Sequence, residues 1–226
     1  MGALFANGLA GGKFANGAVS AAFMAAVHVG VAASRKRTAQ EVTYAKLAND
    51  VYKPQGKAID GYEMSRDLFT DSETGLQSAL YVNQDTGHSV FAFAGTNGAS
   101  DWIANIRQAF GLESAQYTQA MGQAQAVYAA KGGNVQFVGH SLGGGLATTS
   151  AIVTGVSATV FNAAGLNPST VGGASPAPGS ITHFQSSFDG LQMLNSDTPV
   201  KTYGEQVLLG PAGWHPMGGV CERVRC

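Results

Sequence analysis

Asn134-Val135-Gln136-Phe137-Val138-Gly139-His140-Ser141-Leu142-Gly143-Gly144-Gly145-Leu146-Ala147 reads as a short β-strand, a sharp turn at Ser141 and the start of a small-residue helix running on to Val153. A Gly-x-Ser-x-Gly match means little by itself in a chain with 31 glycines, so its surroundings carry the reading. A serine raised on a strand-to-helix turn needs small flanking residues, because its conformation is strained and the backbone approaches closely. The helix that follows also presents unpaired N–H groups and the positive end of its dipole beside the serine. Ser141 is therefore the candidate nucleophile, and the Leu142 N–H a candidate donor to the negative oxygen that an attack on a carbonyl creates.

Working outward, Thr38 with Glu41 forms a capping-box pattern ahead of Val42, Ala45, Leu47, Ala48 and Val51, which predicts a helix over about 40–52, before Pro54. Residues 78–83 and 88–94 are β-rich and are separated by Gln84-Asp85-Thr86-Gly87, a hairpin composition. Asp101 is a candidate cap for a helix to about Phe110; a second helix fits 114–130, with Lys131-Gly132-Gly133 as its stop. Beyond the quoted segment come a strand at 158–161, a long Gly/Pro loop over 167–180 expected to be mobile, a strand at 181–187 and a last short hairpin within 199–209. Strands alternating with helices predict an α/β fold, its central sheet mostly parallel and covered by helices on both faces.

A chain of 226 residues, 45% of them hydrophobic, fills one sizeable core. Thirteen Lys and Arg against 14 Asp and Glu leave a formal charge of −1, so no broad positive field exists to hold nucleic acid. Charged residues make up only 12% of the chain, a composition that tolerates apolar substrates. Cys221 and Cys226 fit either a disulfide stapling the tail or two separate thiols; joined by His215 they match structural zinc spacing poorly. No metal or other cofactor is expected. Residues 14–33 are apolar and small, and Arg35, Lys36 and Arg37 follow them, whereas a secretory signal places its charges first. No cleavable signal is recognised; residues 1–37 read as a leader left from a larger polypeptide, in preference to a marginal membrane helix over 14–33, and residues 38–226 as the catalytic domain.

A serine hydroxyl needs a histidine to take its proton and a carboxylate to orient that histidine. Where a serine is raised on such a turn, the acid and then the histidine follow it in the chain. Only His183 and His215 follow Ser141. His183 lies within a predicted strand ahead of the later aspartates and reads as a strand residue, which leaves His215 as the base. His140, inside the turn, should point away from Ser141. The acid is Asp189 or Asp197. Asp189 is preferred because it follows the strand 181–187 at the carboxyl edge of the sheet, whereas Asn195-Ser196-Asp197-Thr198-Pro199 makes turns for local reasons. The second oxyanion donor is expected from the loop after an earlier strand, at the backbone N–H of Thr96.

Phe93-Ala94-Gly95-Thr96, Asp101-Trp102 with Asn105, Gly139-His140-Ser141-Leu142-Gly143-Gly144 and Phe161-Asn162-Ala163-Ala164-Gly165 together resemble the class 3 lipase family, in its order and spacing. An Ala stands where that family often has an Arg before Gly95-Thr96, and the stretch around Asp189 is unusual for it. The resemblance implies an α/β-hydrolase fold, hydrolysis of acylglycerols or phospholipids by a Ser141, Asp189 and His215 triad, and an oxyanion hole at Thr96 and Leu142. The stretch 9–18 resembles the segment that joins Rhs-type repeat shells to the toxin domains of bacterial polymorphic toxins. This implies a type VI secretion effector acting at a target-cell membrane, in or beside the periplasm, with a cognate immunity protein as partner. The alternatives are a soluble carboxylesterase without a toxin role, and a non-catalytic binding module on the hydrolase scaffold.

Overall fold

The capping box at Thr38 is formed: Thr38 Oγ1 accepts from the Glu41 N–H at 3.1 Å, and the Glu41 carboxylate accepts from the Thr38 N–H at 2.8 Å. It opens helix α1 (Ala39–Asp50) in a computed structural model that describes residues 35–65, 68–96, 102–187, 200–211, 217–224 and 226. The described residues all belong to one unit, Ser34–Cys226. The apolar stretch 14–33 and most of the leader lie outside them. Arg35, within the stretch read as leader, makes a bidentate pair with Glu41 and stands 5.8 Å over the Phe184 ring.

After α1 come strands β1 (Tyr62–Met64), β2 (Phe69–Thr70), β3 (Gln77–Asn83) and β4 (Ser89–Phe93), helix α2 (Trp102–Lys131), strand β5 (Val135–His140) and helix α3 (Leu142–Thr154). Strand β6 (Ala158–Phe161), a 3-10 turn (Pro168–Val171), strands β7 (Ile181–Ser187) and β8 (Glu205–Pro211) and helix α4 (Met217–Val224) complete the described elements. The strands form a single sheet ordered β1-β3-β4-β5-β6-β7-β8, with β2 beside β3. Strands β1 to β4 pair antiparallel, and from β4 to β8 every pairing is parallel. All strand ends from Phe93 to Pro211 therefore reach the same edge.

Period-two alternation along the strands sorts side chains onto two faces. Val90, Ala92 and Val138 meet α1 and α4 through Ala45, Ala48 and Val220. Phe91, Phe93 and Phe137 face α2 and α3 through Tyr117, Leu146 and Ala147. Every residue of β5 is buried, and its one amide side chain, Gln136, is satisfied by Thr159 Oγ1 at 3.0 Å on β6. The sheet is thus mostly parallel and covered on both faces, the α/β-hydrolase arrangement expected.

Two local expectations are corrected. The two helices expected at about 101–110 and 114–130 are one helix of 30 residues, α2. An interior glycine such as Gly111 costs a helix only about 1 kcal/mol, which does not break one that packs along α3. The hairpin expected within 199–209 is instead strand β8, parallel to β7, with Lys201 bridged to Leu166. Within 167–180, Asn167 Oδ1 caps the 3-10 turn through the Ser169 N–H at 3.1 Å, so this loop carries structure of its own. Cys221 and Cys226 are joined in a disulfide.

Candidate active site

Ser141 sits between β5 and α3 with φ +58° and ψ −127°, a conformation that costs a non-glycine residue about 1–3 kcal/mol and must be imposed by its neighbours. The neighbours are visible. The Ser141 N–H donates to the Phe161 carbonyl at 3.1 Å; its own carbonyl accepts from the N–H groups of Gly144 at 3.0 Å, Gly145 at 3.2 Å and Ala164 at 2.9 Å. The turn is packed so closely that a Cβ on Gly139 would fall onto the Gly143 carbonyl, and one on Gly143 onto the Phe93 carbonyl. Glycine is required there by space, since neither has a positive φ. Ser141 itself is buried, with 5% of its surface exposed.

The loop after β4 lies against this turn. A Cβ on Gly95 would stand 3.1 Å from Ser141 Cβ and 2.7 Å from the His140 carbonyl oxygen. Thr96, half-buried, follows directly, so the structure brings the candidate donor loop and the candidate nucleophile together. Leu142 is buried at the first position of α3, with Ser141 as its N-cap.

The histidines separate by role. His140 turns to α1, its Nδ1 lying 3.0 Å from Tyr52 Oη. Burial pushes the Tyr52 hydroxyl far above the ordinary tyrosine range, against a smaller opposing effect of the Gly95 amide, so it stays protonated. His183 is buried on β7, and its Nε2 accepts from the Ala163 N–H at 3.0 Å. It is therefore the Nδ1–H tautomer, and it fixes the backbone one residue before the Ala164 N–H that holds Ser141. Asn162, at φ +42°, is tied to the same strand by its Oδ1, which accepts from the Ser186 N–H at 2.8 Å.

Asp189, Asp197 and His215 lie outside the described residues. Strand β7 ends at Ser187, two residues before Asp189, and β8 ends at Pro211, four before His215; both ends reach the edge occupied by Ser141. No group of three or more potential metal ligands occurs among the described residues. Sequence reasoning gave Tyr52 no part in this site, placing it only at the end of the first helix. Nothing in the local pattern signals it, because its partners are 43 and 88 positions away.

Comparison with known proteins agrees with this architecture. A family model described as a Tle-like phospholipase domain matches residues 43–206. An extracellular phospholipase A1 of Serratia liquefaciens is 36% identical over 199 residues, covering 79% of this chain; the chain spans 62% of that relative's length. Among solved structures, a triacylglycerol lipase from Penicillium expansum superposes with a TM-score of 0.57 at 19% identity, over 77% of this chain and 81% of that one. The Rhizomucor miehei lipase does so with a TM-score of 0.58 at 13% identity, over 77% and 70%.

Proposed function

The chain belongs to the family of Tle-like phospholipase domains, and on that premise we propose that it is a serine-dependent lipid ester hydrolase of the phospholipase A type. The observation that carries the reading is the strained Ser141 turn with the Gly95-Thr96 loop against it. Ser141 Oγ attacks the ester carbonyl while His215 takes its proton, and Asp189 holds the His215 ring in the required tautomer. The N–H groups of Leu142 and Thr96 receive the oxyanion. His215 then protonates the leaving alkoxide, a lysolipid departs, and water activated by the same histidine releases the fatty acid from Ser141. No cofactor enters this sequence.

The relative from Serratia is an extracellular phospholipase A1, which supports glycerophospholipids as the substrate class and action outside the producing cell. We further infer that the protein is a delivered antibacterial effector acting at the target-cell membrane from the periplasmic side, restrained by an immunity protein; the family match and the leader-like stretch 9–18 support this. No helix among the described residues is long and apolar enough to cross a membrane.

Phospholipid vesicles analysed for free fatty acid and lysophospholipid test the activity. Ser141→Ala and His215→Ala should each lose at least about 10³-fold, and Asp189→Asn should lose more than Asp197→Asn. A folded Ser141→Ala that keeps its activity would end the mechanism; a larger loss at Asp197 would move the acid there. Directed to the periplasm, the wild-type chain should kill while Ser141→Ala does not, and harmless wild type there would sink the effector reading alone.

A further inference from the structure

Tyr52 follows the C-cap of α1 and is held from behind: Gln77 Nε2 donates to the Val51 carbonyl at 2.5 Å and to the Tyr52 carbonyl at 3.2 Å. Its ring carries the hydroxyl to a place where the two halves of the candidate site meet. Tyr52 Oη lies 3.0 Å from His140 Nδ1 and 3.3 Å from the His140 carbonyl oxygen. On its other side Gly95 packs directly against it: a Cβ on Gly95 would come within 2.6 Å of the hydroxyl. Both His140 contacts are satisfied together when the phenol donates to the His140 carbonyl and accepts from His140 Nδ1–H, with Gly95 packed against its other side.

The position of these partners matters. The His140 carbonyl belongs to the peptide plane that sets φ of Ser141, which is held at +58°. Gly95 belongs to the backbone that presents Thr96 one residue later. We propose that Tyr52 is a positioning residue: its hydroxyl locks the His140–Ser141 peptide to the Gly95-Thr96 loop, keeping nucleophile and oxyanion donor in one fixed geometry. The inference rests on Ser141 being the nucleophile. Substrate binding away from the reacting carbonyl does not depend on this lock, whereas the transition state does, so its loss falls on kcat and leaves KM alone.

Tyr52→Phe keeps the ring and removes the bridge. With p-nitrophenyl butyrate, kcat should fall about 10- to 100-fold with KM within about twofold of wild type, and labelling of Ser141 by a fluorophosphonate should slow in step. A merely structural hydroxyl would lower the melting temperature and leave kcat per folded molecule intact, and that result overturns the proposal. A second variant needs no loss of volume: 4-methylphenylalanine at position 52 fills the place of the hydroxyl and removes its hydrogen bonds. Its kcat should fall as in Tyr52→Phe, with KM again within about twofold of wild type. A wild-type kcat in that protein overturns the lock even if Tyr52→Phe does not fold. Ser141→Ala assayed with the same ester separates the two ideas: activity retained there removes the nucleophile, while a dead Ser141→Ala beside an unaffected Tyr52→Phe removes only the lock.

Discussion

The turn at Ser141 is braced by different means on its two sides. Toward α3, backbone lies directly on backbone, with Gly139 under Gly143 and Gly143 against Phe93, and no atom to spare. Toward α1, the brace is a hydrogen-bonded side chain, Tyr52, reaching His140 across 88 positions of sequence. The steric side tolerates one residue type at each contact and responds to any addition; the polar side is made of ordinary residues and yields by degrees. Steric exclusion rises steeply over tenths of an ångström, whereas a lost hydrogen bond is partly replaced by water.

The largest effect should come from Gly143→Ala. Its methyl group must displace the Phe93 carbonyl, and with it the loop leading to Gly95, so ester hydrolysis should fall by at least about 10²-fold. Initial rates beside a melting curve check this, and activity within tenfold of wild type would break the contrast. His183→Leu fills similar space but leaves the buried Ala163 N–H without its acceptor. The expected cost is about 1–3 kcal/mol, or roughly 2–4 °C of melting temperature per kcal/mol, with the chemistry of the folded protein largely kept. A drop to the level of Ser141→Ala would show His183 to be the base and overturn the assignment of His215.

On the α1 side, Thr38→Ala removes one half of the capping box and should cost about 1 kcal/mol in denaturant unfolding without changing kcat. Gly122→Ala sharpens the comparison from the opposite direction. A Cβ there meets nothing within 4 Å on the exposed side of α2, so the same substitution that is ruinous at Gly143 should stabilise by about 0.5–1 kcal/mol. A destabilised Gly122→Ala would mean that glycine sensitivity is general rather than local to the turn. The smallest effect concerns Glu41. Burial alone would raise its pKa, but hydrogen bonds from Arg35 and the Thr38 N–H outweigh it and hold the carboxyl below its ordinary value. Its folded pKa being depressed, its contribution is present above about pH 4.5 and is lost as pH falls through the folded value. Glu41→Gln should flatten that acid-side loss of melting temperature by an amount worth under about 1 kcal/mol; an unchanged slope would show the pair to be energetically silent.

What the sequence by itself determined is whatever a local pattern can encode. The Val135 to Val138 run, the glycines around Ser141 and the Thr38-Glu41 pair each report a constraint within a few residues, so the parallel sheet, the turn and the start of α1 were legible. Where local signals were weak or shared, the reading failed: Gly111 did not interrupt α2, and the turn-rich stretch before β8 did not close a hairpin, because contacts distant in sequence outweighed preferences worth about 1 kcal/mol. The disulfide between Cys221 and Cys226 needed coordinates for the same reason, since spacing fixes neither direction nor distance. Only the tertiary structure decided that His183 holds Ala163 and that Tyr52 meets both Gly95 and His140. A hydrogen bond between residues tens of positions apart leaves no periodicity and demands no rare residue type; it comes into being when the sheet order places β4, β5 and the end of α1 side by side.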